Sequence, residues 1–268
     1  LNKKKGEYDV NHIINTMLKT QKELMEYVVH ATEKRMKKPF TKLALLSMLG
    51  GMFIAFGSVG NIITVANLIE TNAGIAKFFG ASVFPVGLIM IVLLGLELFT
   101  SNCMMTLGYV ENKISILKML KILSIVWIFN LIGSIIIAYI SYETHTLSNA
   151  GITFLSNLSA HKVHANAYDL ILKGILCNVL VCGASLLGYI AKDGISKLFG
   201  IWFPIMLFII LGYDHVVANM LYLPLALMHG LEGITILNVT YNFIFVTIGN
   251  FIGGGIVIGL TLWYCNKD

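Results

Sequence analysis

Six long apolar runs divide this chain, at about residues 43–66, 78–110, 116–140, 170–190, 198–227 and 239–264. A helix needs about 20 apolar residues to cross a bilayer, so each run is long enough to span one. Ahead of them, residues 7–38 are polar but periodic. Val10, Ile13, Ile14, Met17, Leu18, Leu24, Met25 and Val28 recur at three- and four-residue steps. That spacing predicts one amphipathic helix, stopping before Pro39. Its apolar stripe is narrow, and Glu23, Glu26 and Glu33 occupy the remaining surface. It therefore reads as packing on protein rather than lying along a membrane. The connection 141–167 is polar and reads as a link between spans. The expected division is a cytoplasmic amphipathic helix over 1–39 and a transmembrane domain over 40–268.

Two of the runs are interrupted in the same way. Gly95-Leu96-Glu97-Leu98-Phe99-Thr100-Ser101-Asn102-Cys103-Met104 breaks the second, and Gly212-Tyr213-Asp214-His215-Val216-Val217-Ala218-Asn219-Met220 breaks the fifth. Both read Gly-x-acid, then Asn, then Met. The third and sixth runs share a further match, Asn130-Leu131-Ile132-Gly133-Ser134 and Asn250-Phe251-Ile252-Gly253-Gly254. Two matches in one order at nearly one offset indicate an internal repeat of three spans each. An odd number of spans per repeat inverts the second half in the membrane, so the two broken spans meet near its midplane. The fold class is therefore all-α integral membrane, with six transmembrane helices in two inverted three-helix repeats and the second and fifth helices broken.

Composition supports this and narrows the side. The chain is 57% hydrophobic and only 12% charged over 268 residues, against about 25% charged in soluble domains. With both termini placed inside, the inner segments hold sixteen Lys and Arg and the outer ones three, Lys77, Lys162 and Lys173. The positive-inside rule then puts both ends in the cytoplasm. The net charge of +5 does not indicate nucleic-acid binding, because ten basic residues precede position 43 and no basic-aromatic patch follows. The four cysteines, Cys103, Cys177, Cys182 and Cys265, form no CxxC pair and read as small apolar residues. No cleavable signal peptide is visible in the polar first 38 residues.

A charge at the centre of a membrane helix costs about 3 kcal/mol, so the residues in the two interruptions need a reason to be there. A helix resuming at mid-membrane presents unpaired N–H groups and a partial positive charge, and two such ends aimed at one point suit an anion. Glu97 and Asp214 read as acceptors for those loose backbone N–H groups, with Asn102 and Asn219 bracing the same loops. His215 lies deep in a span, and its ordinary pKa near 6.5 allows proton exchange. Thr100, taken as its counterpart in the first interruption, supplies a hydroxyl. Phe84, Leu88, Leu98, Phe99 and Phe208 are candidate constrictions. Lys162, between His161 and His164, reads as a basic outer mouth that concentrates anions. No acid or Cys completes a metal set there, and no metal or other cofactor is expected. Nor is an enzyme, since neither nucleophile nor metal set accompanies His215 and Asp214.

Several of these motifs together resemble the formate/nitrite transporter family. They are Leu98-Phe99-Thr100-Ser101, His161-Lys162-Val163-His164, Gly174-Ile175-Leu176-Cys177-Asn178-Val179-Leu180-Val181-Cys182, Gly212-Tyr213-Asp214-His215 with Ala218-Asn219-Met220, and Thr247 to Gly254. The resemblance runs over residues 40–265. It implies an aquaporin-like homopentamer with one pore per subunit, carrying formate, nitrite or hydrosulfide across the cell inner membrane. By the same resemblance His215 is the central histidine, Thr100 the loop threonine, Lys162 the vestibule lysine and Asn178 its nearby asparagine. Phe84, Leu88, Phe99 and Phe208 fall at constriction positions. The chain departs from the family at Tyr213-Asp214, often Phe-Glu, and at Ala165, where a second His is common. The expected function is a channel for small monovalent anions of weak acids, with transient protonation at the histidine. A neutral-solute pore of the glycerol or water type and a proton-coupled transporter of the same anions are the alternatives.

Overall fold

In the computed structural model, residues 18–266 are described; Val10, Ile13, Ile14 and Met17 of the expected amino-terminal stripe lie outside them. The described residues are helical, with a single isolated bridge between Leu18 and Ala191. Helix α1 (Gln21–Met36) starts at a capping box, in which the Thr20 hydroxyl accepts from Glu23 N–H and the Glu23 carboxylate accepts from Thr20 N–H. It turns Leu24 and Val28 against Met104, Leu107, Cys182 and Leu186. The helix thus packs on the body of the protein.

Among the described residues, five helices are long and apolar enough to cross a membrane. The first is α2 (Phe40–Ala66), entered directly from Pro39, which has no N–H to lose. The second is a pair, α3 (Ala73–Val83) and α4 (Val86–Leu94), offset at Phe84-Pro85. Then come α7 (Ile116–Glu143), α9 (Ala167–Ile190) and the last helix, which runs from α12 (Ile236–Phe251) through a π-helical stretch, Ile252–Leu260, to α13 (Thr261–Cys265). The remaining apolar helices are shorter. After Leu94 the chain resumes in α5 (Phe99–Asn102), a 3-10 turn at Cys103–Met105 and α6 (Thr106–Val110). The fifth apolar run forms two helices, α10 (Gly194–Ile210) and α11 (Val216–Met228).

The segment 141–167 is more than a link. It contains α8 (Asn149–Val163), capped by Ser148, with Gly151, Leu155, Ser159 and Val163 buried at four-residue steps. That stripe is too poor in large apolar residues to stand out from its polar surroundings in sequence.

The helices pair alike in the two halves: α2 lies along α7, and α9 along α12. Both contacts are backbone-close. A Cβ added to Gly51 would stand 2.0 Å from the Asn130 carbonyl oxygen, and one added to Gly253 would stand 2.2 Å from that of Ile175. Small residues permit this approach, which is how apolar helices gain van der Waals contact without a hydrophobic driving force. Gly51→Leu should therefore lower the melting temperature of the detergent-purified protein, at an overpacking cost of about 1–3 kcal/mol or more. Gly183→Ala, where no atom lies within 4 Å, should leave melting unchanged or slightly raised.

Candidate functional site

The site is built on the two interruptions. Helix α4 ends at Gly95 and α10 closes just before Gly212, and these glycines adopt left-handed φ of +67° and +68°. Only glycine takes that conformation without strain. The chain then runs extended through Leu98 and His215, each of which is the residue preceding a new helix, α5 or α11. Leu98, and not Thr100, is thus the counterpart of His215. Counting from each glycine, Thr100 corresponds to Val217.

Extended backbone between two buried helix ends must find partners. Two asparagines supply most of them. Asn130 on α7 accepts from Phe99 N–H at 2.9 Å and donates to the Glu97 and Ser47 carbonyls at 3.0 and 2.6 Å. Asn250 on α12 accepts from Val216 N–H at 2.9 Å and donates to the Asp214 and Gly174 carbonyls at 2.9 and 2.8 Å. The N–H groups of Glu97 and Asp214 reach the Leu46 and Lys173 carbonyls at 3.3 and 3.4 Å. Asn130 and Asn250 carry the second repeat match in the sequence. That recurrence is the sequence signal for them, but it does not say which groups they bond.

The carboxylates do something other than accept loose backbone N–H groups. Glu97, 2% exposed, receives Arg35 Nε at 2.7 Å, the Lys38 ammonium, and Asn102 Nδ2 at 2.8 Å. Asp214, 3% exposed, receives Lys162 Nζ at 2.6 Å and Asn219 Nδ2 at 3.2 Å. A buried carboxylate without a cation is costly, and loose N–H groups alone do not neutralise it. Arg35 lies at the end of α1, so the amino-terminal helix completes the first interruption. Burial works against the Arg35 charge, but Glu97 and Tyr189 beside it outweigh that and hold its pKa above the ordinary arginine value. At the second interruption Asn242 on α12 ties the parts together. It accepts from Asn219 Nδ2 and donates to the Lys162 carbonyl, both at 2.9 Å. Asn242 has no repeat mate, so nothing in the sequence singled it out.

His215 and Thr100 meet between the two loops. Thr100 Oγ1 lies 2.9 Å from His215 Nε2, while His215 Nδ1 accepts from Ala218 N–H at 3.1 Å. The second bond fixes the first. An Nδ1 that accepts carries no proton, so the neutral ring bears its hydrogen on Nε2 and donates it to Thr100. The Thr100 hydroxyl hydrogen is then free for another acceptor. Aromatic rings stand behind the pair: Phe208 lies 5.8 Å from His215 and meets Phe84 edge-on at 5.5 Å. Leu88, Leu98 and Phe99 are buried in the same apolar cluster.

Asn178 spends its amide hydrogens on backbone. It lies under the first interruption and donates to the Thr100 and Asn250 carbonyls at 3.1 and 2.6 Å. That makes it a framework residue that fixes Thr100. Lys162 stands 5.8 Å over the Tyr222 ring.

The profile of the formate/nitrite transporter family matches residues 22–264. The chain belongs to that family. Within it, the chain is 37% identical over 251 residues to an uncharacterized transporter of Bacillus subtilis, YrhG, covering 92% of this chain and 94% of that one. It is 33% identical over 258 residues to a probable formate transporter of Methanothermobacter thermautotrophicus, covering 87% and 91%. Among solved structures it resembles a pentameric formate channel with formate bound, at TM-score 0.77 and 27% identity, covering 87% of this chain and 99% of that one. This formate/nitrite transporter family member is accordingly an integral membrane transport protein and not an enzyme. In it Asn250→Leu should unpair one N–H and two carbonyls at the second interruption, at about 1–3 kcal/mol for each group. The expected result is a large drop in thermal stability of the purified protein, against no change for the exposed control Thr153→Ala.

Proposed function

We propose that this protein is a channel for the anions of small weak acids, with formate the foremost permeant and nitrite and hydrosulfide as further members of the class. The observation that carries the reading is the His215–Thr100 pair, set where two helix starts converge and backed by buried aromatic rings. The pair leaves one hydroxyl hydrogen to donate, which suits an anion stripped of water. Helix starts add partial positive charge from both sides. Lys162, balanced by Asp214, and the Arg35–Lys38 pair, which shares Glu97, put cations on the approaches.

In this reading α3–α4 with α5–α6 form a second span broken at Gly95–Leu98, and α10 with α11 form a fifth broken at Gly212–His215, giving six spans in two inverted repeats. Phe84, Leu88, Leu98, Phe99 and Phe208 constrict the path, and five copies assemble as in the related formate channel. The basic excess of residues 1–42 and the inner connections supports cytoplasmic termini in the plasma membrane, with 1–39 as a cytoplasmic segment and 40–268 as the channel.

The Ala218 bond bears on proton coupling. Protonating His215 at Nδ1 breaks this cap, at a cost of about 0.5–2 kcal/mol, so the resting ring is neutral and proton transfer to the permeant requires the cap to open. A desolvated anion in an apolar neck is far costlier, which gives the transfer its driving force. His215→Asn keeps an effective cap for Ala218 and removes the exchangeable proton. In liposomes it should fold and assemble, lose most formate flux, and lose the dependence of that flux on pH. Unchanged flux, selectivity and pH dependence in this variant would refute the role of His215, and glycerol swelling without anion flux in the unaltered protein would refute the anion channel.

A further inference from the structure

Helices α7 and α12 stand apart along their length and leave a groove of about 940 Å³ between them. Its walls run from Leu120 to Ile135 on α7 and from Ile236 to Ile252 on α12, with Pro224 and Phe99 among its lining residues. Fifteen residues of helix make it about 22 Å long, well over half of a ~30 Å hydrocarbon core. Both walls belong to helices long and apolar enough to cross a membrane, so the groove lies at bilayer depth.

The lining is apolar except for Ser124, Trp127, Thr240 and Thr247. The Trp127 indole N–H is spent on Thr247 Oγ1 at 2.9 Å, across the groove, and the Thr240 hydroxyl is spent on the Ile236 carbonyl at 2.8 Å. Protein interfaces of this kind of area carry direct hydrogen bonds, roughly one per 100–200 Å². A long, open channel lined almost wholly by apolar side chains, at bilayer depth, matches a flexible hydrocarbon instead. We infer that the groove is a binding site for one acyl chain of a bilayer lipid, seated between the two repeats and against the back of Phe99. Phe99 is held on its other side through its own N–H by Asn130 and is followed by Thr100, whose carbonyl Asn178 holds. The chain therefore touches the outer wall of the filter without entering the path. Lipid occupancy of the groove does not depend on which anion the protein carries.

The test uses the full chain in phosphatidylcholine bilayers containing a lipid brominated at mid-chain, a contact quencher of indole fluorescence. Trp202→Phe with Trp263→Phe leaves Trp127 as the sole reporter. The expected result is loss of most Trp127 emission at a low brominated fraction, with saturation, because a retained site fills before the surrounding lipid does. Adding Ser124→Phe and Thr240→Phe, which fill the groove, should abolish that saturating component. An unquenched Trp127 overturns the proposal and points to a second copy covering the groove. So does quenching that rises evenly with brominated fraction and ignores the filling pair, which is bulk lipid only. Where the tryptophan variant fails to assemble, a phospholipid with a photoactivatable acyl chain is crosslinked to the unaltered protein. Labelling concentrated on the facing sides of α7 and α12 upholds the site, and labelling spread over all exposed helix faces overturns it.

Discussion

Backbone that leaves a helix inside a membrane must find partners for its N–H and C=O groups, and everything around the site follows from meeting that demand twice. Two asparagine amides, Asn130 and Asn250, meet it in the same way. Each accepts from the first N–H of a new helix and donates to the carbonyl of the acid in the loop and to a carbonyl on the neighbouring long helix. An amide is suited to this because it accepts and donates from one rigid plane. The close approach of α7 to α2 and of α12 to α9 brings these planes within reach, which ties the small-residue packing to the two interruptions.

Charge is handled less symmetrically. Glu97 draws two cations from outside the repeats, Arg35 on α1 and Lys38 just after it, while Asp214 draws one, Lys162 on α8. The segments that lie outside the repeated spans therefore complete them. That gives α1 a reason to dock on the body, since without Arg35 the buried Glu97 keeps Lys38 as its one cation.

The repeat is broken at two positions of consequence, Leu98 against His215 and Thr100 against Val217. Leu98 and His215 have the same backbone conformation, but only the second caps its helix with a side chain. The cap spends one ring nitrogen and points the other at Thr100. Two departures within a duplicated frame, His215 against Leu98 and Thr100 against Val217, thus place a hydrogen-bonding pair between the loops. The helical framework around it is satisfied whether or not the pair exchanges a proton.

Much of this was legible in the chain. Apolar run length gave the membrane class, the Gly-x-acid motifs located both interruptions, and the recurrence of Asn130-x-x-Gly and Asn250-x-x-Gly marked the frame, because each follows from local rules of solvation and backbone conformation. Partner choice was not legible. The acids pair with Arg35, Lys38 and Lys162 rather than with loop N–H groups, and Asn178 holds the Thr100 and Asn250 carbonyls. Asn242 has no mate in sequence, and α8 shows no strong stripe. Those facts depend on which helices pack together. A sequence specifies what each segment needs, a medium or a counterion, but only the tertiary fold decides which distant residue supplies it, since contacts 31 to 149 residues apart arise from packing and not from spacing.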